Sequence, residues 1–151
     1  MTTDISTYVF NHTMIRVRDP QISLKFYEEI LGMKLINRLD FPESKFTLYF
    51  LAYVRKNETL PESEAEKRNY AFGREGVLEL THNHDLPEVQ YHNGNKDPRG
   101  FGHIAIRVDN IEAACKRFEE LGVNFIKTLK SGTMKTIAFI SDPDGYWIEI
   151  I

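Results

Sequence analysis

Four side chains of this 151-residue chain stand where chemistry can be done: His12, Glu79, His103 and Glu149. The histidines open two matching strings, His12-Thr13-Met14-Ile15-Arg16-Val17 and His103-Ile104-Ala105-Ile106-Arg107-Val108, in which His, Ile, Arg and Val recur at one constant offset. Each glutamate lies among apolar residues that read as a strand, Val77-Leu78-Glu79-Leu80 and Trp147-Ile148-Glu149-Ile150. Taken singly, a carboxylate alternating with Leu or Ile is the solvent side of a half-buried strand, and a lone strand histidine is a packing residue. Two repeats that each supply one imidazole and one carboxylate at matching places change that reading. Buried charge is costly unless it is paired or bound to metal. Together the four offer two nitrogens and two oxygens, a set suited to a borderline divalent cation such as Zn²⁺ or Ni²⁺ with water in an open position. An open position implies catalysis. A second cluster, His82, His84, Asp85 and His92, has no counterpart in the other copy and is the weaker candidate.

The elements that must carry these groups are also duplicated. Alternation in Thr13 to Val17 and in Ile104 to Val108 has the period of a half-buried strand. Asp19-Pro20 offers a cap and a first-turn proline for a helix in which Ile22, Phe26 and Ile30 recur until Gly32. In the second copy, Asp109 and Glu112 form a capping pattern ahead of the stripe Ile111, Ala114, Cys115, Phe118 and Leu121, which ends at Gly122. Tyr27-Glu28-Glu29-Ile30 against Phe118-Glu119-Glu120-Leu121 continues the match. Strands follow at 35–39, 45–53 and 77–81, then at 124–129, 136–141 and 147–150. The order is βαβββ twice: an α+β chain of two tandem modules, 1–92 and 93–151. The copies differ by two long inserted segments, 55–74 and 84–100, of the kind that in compact domains serve as lids or arms.

Period two also predicts what lies beside the candidate ligands. Arg16 is on the face of His12, ~13 Å along the strand at ~3.3 Å per residue, and Asn83 stands in the same relation to Glu79. A cation and an amide at that distance can hold an anionic end of a substrate whose reactive end is at the metal.

Nineteen Lys and Arg against 22 Asp and Glu, with neither sign gathered in a block, argue against a nucleic-acid or membrane-surface partner. The longest uncharged apolar stretch, 46–54, falls far short of the ~20 residues that span a bilayer. The first eleven residues lack a basic, then apolar, secretion signal. One cysteine, Cys115, excludes an internal disulfide and points to the cytoplasm.

The strings Thr13-Met14-Ile15-Arg16-Val17-Arg18-Asp19-Pro20, Leu78-Glu79-Leu80-Thr81-His82-Asn83, Tyr91-His92-Asn93-Gly94-Asn95, Asp97-Pro98-Arg99-Gly100-Phe101-Gly102-His103-Ile104 and Asp142-Pro143-Asp144-Gly145-Tyr146-Trp147-Ile148-Glu149-Ile150 resemble the glyoxalase I family of the vicinal-oxygen-chelate superfamily, in its longer, zinc-type form. The resemblance covers His12 to the end. It implies isomerisation of the methylglyoxal–glutathione hemithioacetal to lactoylglutathione through an enediolate, with a metal as Lewis acid and a carboxylate as base. By position, His12, Glu79, His103 and Glu149 are then the metal ligands, Glu149 the main proton-shuttling base and Glu79 the carboxylate for the opposite face.

For glutathione, the thiol co-substrate, the resemblance implies Arg16, Asn83 and Arg99 at the γ-glutamyl carboxylate, and Lys127 with the backbone about Gly132 and Met134 at the glycine carboxylate. Phe41, Leu48, Phe50, Phe72 and Phe139 match the apolar substrate pocket. Zn²⁺ is the first expectation. Histidine at position 12, where zinc-type relatives commonly have glutamine, is similar to shorter nickel-preferring enzymes and keeps Ni²⁺ and Co²⁺ open. A homodimer, in which each metal takes one His/Glu pair from each chain, is the implied assembly. The alternatives are another enzyme of the same superfamily, an epimerase or a dioxygenase, and a non-catalytic ligand-binding member.

Overall fold

The computed structural model describes residues 2–86 and 88–151. Met1, heading the expected first module, and Pro87, in the expected connecting segment, lie outside the described residues. The chain divides into two compact units, Met1–Glu88 and Val89–Ile151.

The first unit runs β1 (His12–Arg16), α1 (Pro20–Lys25), β2 (Lys34–Phe41), β3 (Phe46–Ala52), α2 (Glu64–Phe72) and β4 (Val77–Asn83). Its sheet has the order β1-β4-β3-β2, with β1 parallel to β4 and the other pairs antiparallel. The second unit runs β5 (His103–Ile106), α3 (Ile111–Glu120), β6 (Phe125–Lys127), β7 (Ala138–Ser141) and β8 (Trp147–Ile150), in the equivalent order β5-β8-β7-β6. The duplicated βαβββ order is therefore a duplicated topology, in which a helical crossover returns the chain parallel to its first strand's neighbour.

Three local expectations are corrected. The first helix does not continue regularly to Ile30: α1 passes into a π-turn over Phe26–Ile30, closed by the Leu31 amide on the Phe26 carbonyl. The wider turn rotates the following residues, so the buried face is Ser23, Phe26 and Tyr27, and Ile22 is exposed. The cap of α3 is Asn110 rather than Asp109; its side chain accepts from the Ala113 amide at 2.9 Å. The 55–74 insertion is not merely a loop, because it contains α2. Ser63 caps this helix, its hydroxyl accepting from the Glu66 amide and donating to the Glu66 carboxylate.

Helix α2 brings Ala71, fully buried, onto Ile36, Phe50, Ala52 and Val77. This cluster covers one end of one face of the first sheet. The opposite face carries Ile15, Leu78, Leu80, Tyr49 and Leu51, all buried. Among the described residues no helix is long and apolar enough to cross a membrane.

A tight loop seats the start of β5. The Gly102 amide donates to the Asn93 carbonyl, Asn95 Nδ2 donates to the Gly102 carbonyl, and Asn93 Nδ2 reaches the Gly145 carbonyl. Gly94 sits at the centre with φ +83°, where a Cβ would meet the Phe101 nitrogen at 2.3 Å and the Gly100 carbonyl carbon at 2.7 Å. Gly94→Ala is expected to destabilise the chain by about 1–3 kcal/mol through backbone strain and to loosen His103. A lowered urea midpoint would show the first effect, and an unchanged midpoint would contradict it.

Candidate metal centre

In each sheet the candidate ligands are a near pair on one face. Met14 is the register partner of Glu79, and Ala105 of Glu149. Each histidine is two residues before that partner, so period two turns it to the same side as the carboxylate. His12 Nε2 lies 3.0 Å from Glu79 Oε2, and His103 Nε2 lies 3.4 Å from Glu149 Oε2. Glu79 is buried at 8% exposure, too enclosed for a solvent-facing strand carboxylate. Its second oxygen accepts from the Thr81 hydroxyl at 3.1 Å.

These spacings test the fit of a metal. Donors ~2.0–2.2 Å from one Zn²⁺-like ion stand about 2.9–3.5 Å apart, from right-angled to tetrahedral bond angles. Both observed separations fall in that range, and both pairs combine an imidazole nitrogen with a carboxylate oxygen. Among the described residues no group of three or more His, Cys, Asp or Glu side chains that could hold a metal ion is found.

The rival cluster is otherwise engaged. Asp85 pairs with Lys45 at 2.7 Å, and His84 Nε2 meets the Thr47 hydroxyl at 2.9 Å. That hydroxyl donates to Asp40 at 2.8 Å, which holds the Asp40 carboxyl below its usual range. His84 must then be the donor in its own bond. Burial, with a smaller contribution from His84, pushes the pKa of His82 down. In the second unit His92 Nδ1 accepts from the Gly94 amide.

The register gathers most expected substrate residues of the first unit on the Glu79 face. Phe50 is the cross-strand partner of Glu79, Leu48 of Thr81, and Phe46 of both Asn83 and Phe41. Arg16 is the partner of Thr81 on the other side. The Phe50 ring stands edge-on to His12 at 6.0 Å and to Phe72 at 5.3 Å. Phe72 reaches the site from α2, so the insertion contributes directly to its wall. Asn83 Oδ1 is buried without a protein hydrogen-bond partner among the described residues. So are both polar atoms of Asn37, a residue the sequence reading passed over; it is the cross-strand partner of Phe50, directly after the bulge in β2.

In the second unit Phe139 is the cross-strand partner of Glu149 and of Lys127, and its ring lies 5.1 Å from that of His103. Lys127 Nζ donates to the carbonyls of Met134 at 2.6 Å and Ile137 at 2.7 Å, which ties the intervening loop to β6. Gly132 passes close over that side chain; a Cβ there would be 3.2 Å from Lys127 Cε. Lys127, Gly132 and Met134 thus belong to one local structure. Arg99 is apart from them on an exposed loop, with its guanidinium 3.7 Å from Asp97.

Residues 9–150 match the Glyoxalase/Bleomycin resistance protein/Dioxygenase superfamily. The chain is 60% identical over 146 residues to a lactoylglutathione lyase of Pseudomonas aeruginosa, covering 95% of this chain and 82% of the relative. It is 52% identical over 147 residues to a lactoylglutathione lyase of Pseudomonas putida, covering 95% and 84%. Among solved structures, the trypanothione-dependent glyoxalase I of Leishmania major superimposes with a TM-score of 0.70 at 32% identity, over 96% of this chain and 86% of that one. Glyoxalase I of Zea mays gives 0.69 at 31% identity, over 95% of this chain and 44% of that longer one. A duplicated βαβββ fold, a His/Glu pair on each copy and relatives this similar over nearly the whole length establish the lineage: the chain belongs to the glyoxalase/bleomycin resistance protein/dioxygenase superfamily and, within it, to the lactoylglutathione lyases, the glyoxalase I family.

Proposed function

We infer that this chain is a metal-dependent lactoylglutathione lyase, isomerising the hemithioacetal of methylglyoxal and glutathione to S-lactoylglutathione. The observation that carries the reading is the His/Glu pair at the same register of both sheets, 3.0 and 3.4 Å between donors, beside an apolar wall that includes Phe50 and Phe72. His12, Glu79, His103 and Glu149 would hold the ion, with Zn²⁺ foremost and Ni²⁺ or Co²⁺ as alternatives. Such an ion supplies Lewis-acid stabilisation to negative charge developing on neighbouring substrate oxygens.

The protein's own groups do the rest. Glu149 takes the proton from the carbon that carries sulfur. The electron pair released there moves toward the neighbouring carbonyl, whose oxygen gains the proton that the hydroxyl on the sulfur-bearing carbon gives up; the abstracted proton is returned to that second carbon, so the first becomes the thioester carbonyl and no atom is gained or lost. Glu79 serves the opposite face. Arg16, Asn83 and Arg99 bind the γ-glutamyl end of glutathione, and Lys127 with the Gly132–Met134 backbone binds the glycine end. Phe41, Leu48, Phe50, Phe72 and Phe139 enclose the methyl-bearing part and exclude water. The active form is a homodimer in which one pair from each chain completes a site, resident in the cytoplasm and with neither nucleic acid nor membrane as partner.

The test is direct. Purified chain, stripped with a chelator and reloaded in turn with Zn²⁺, Ni²⁺ and Co²⁺, is mixed with preformed hemithioacetal while thioester absorbance is followed. At least one reloaded form should produce thioester and the stripped chain none. Equal rates with and without metal, or no thioester from any form, would refute the assignment. In the same preparation Glu79→Gln is expected to retain less metal than the parent chain on dialysis, read by elemental analysis; full occupancy would remove Glu79 from the ligand set.

A further inference from the structure

His12 has a neighbour whose position leaves its ring little choice. Asn11 Nδ2 donates to two backbone carbonyls, Ala71 at 2.9 Å and Arg74 at 2.7 Å. Both amide hydrogens are thereby committed, and the other end of the amide, Oδ1, faces His12 Nδ1 at 2.6 Å. An amide oxygen only accepts, so Nδ1 must carry a hydrogen. In the neutral ring the lone pair is then on Nε2, the nitrogen 3.0 Å from Glu79. The carbonyls that orient Asn11 come from the inserted segment. Ala71 is in the last turn of α2, where carbonyls lack intrahelical partners. Arg74 is held by an ion pair to Glu58 at 3.0 Å and by donation to the Tyr53 carbonyl at 2.9 Å, with Tyr70 bonded to the same Glu58 carboxylate. The second copy has Gly102 at the place of Asn11, and glycine has no side chain to make this bond.

We propose that Asn11 is a positioning residue of the metal centre: it reads the end of α2 through the Ala71 and Arg74 carbonyls and fixes His12 as the Nδ1–H tautomer, with Nε2 offered to the ion. The insertion between β3 and β4 is then the mount of one metal ligand. The metal half of this inference rests on the ligand set given above; the tautomer half does not. Hydrogen bonds to the far nitrogen of a ligating histidine set its tautomer and orientation, and their loss typically costs 10- to 100-fold in metal affinity.

The experiment uses the full-length chain labelled with ¹⁵N-histidine, metal-free and at a pH where imidazole is neutral. Ring nitrogen shifts should identify His12 as Nδ1–H in the parent chain and move it toward Nε2–H in Asn11→Ala. In competition with a chromophoric chelator, Asn11→Ala should bind Zn²⁺ about 10- to 100-fold more weakly. A parent chain found as Nε2–H overturns the proposal without any variant having to fold. So does a folded Asn11→Ala chain with the parent tautomer and affinity. If His12→Ala binds Zn²⁺ as tightly as the parent, the ligand assignment and the metal half fall together, while the ring shifts still decide what Asn11 does to His12.

Discussion

Glu149→Gln, shown to be metal-loaded, is expected to turn over the hemithioacetal ~10²- to 10⁴-fold more slowly than the parent chain, the range that a positioned general base contributes. Glutamine keeps an oxygen donor and nearly the same volume, so the ion can stay while basicity is lost. The two carboxylates are not equally suited to the task. Glu79 has one oxygen tied to the Thr81 hydroxyl at 3.1 Å, while the other faces His12 Nε2 at 3.0 Å. Glu149 is 3.4 Å from His103, its side chain is 20% exposed against 11% for Glu79, and Ile151 stands where the first copy has Thr81. A carboxylate that must loosen from an ion to move a proton does so more easily when nothing else restrains it. Thioester formation measured beside metal content decides the matter. A loaded Glu149→Gln chain working at nearly the parent rate would transfer the role of base to Glu79.

Mixing two inactive chains is expected to restore activity. His12→Ala damages only the first-copy pair and His103→Ala only the second, and each alone should be nearly inactive. If every site takes one pair from each chain of a homodimer, a mixed dimer contains one doubly damaged site and one intact site. Random exchange makes half the dimers mixed, so about a quarter of the parent activity should return, by the bookkeeping of a closed twofold assembly. The measurement is thioester formation before and after subunit exchange, with exchange confirmed by mass-tagged chains. No recovery after confirmed exchange would mean that sites are built within one chain.

Much of this was legible in the sequence because duplication makes weak signals corroborate one another. Neither glutamate would stand out from a strand of Leu and Ile alone, yet their equivalent places in two copies single them out, and the register puts each on the same face as a histidine. What escaped was of another kind. Helix α2 buries little beyond Ala71, so it has almost no apolar stripe; its one sequence signal was the capping pair Ser63 and Glu66, hidden among charged residues. The π-turn at Phe26–Ile30 moved the buried face by an amount that no fixed period anticipates. Asn11 was invisible because its partners, the carbonyls of Ala71 and Arg74, are backbone atoms some sixty residues on, and backbone atoms have no signature in a sequence.

The Thr81 tether has a stereochemical consequence. The carbon that receives the proton has two faces, and protonation from one gives the mirror image of the product formed from the other. One hydroxyl, present beside Glu79 and replaced by the side chain of Ile151 beside Glu149, ties one carboxylate and leaves the other without that tether. On the function proposed above, with Glu149 as the carboxylate that returns the proton, that return is expected from one side, and the newly formed carbinol carbon of the lactoyl group is expected to have a single handedness.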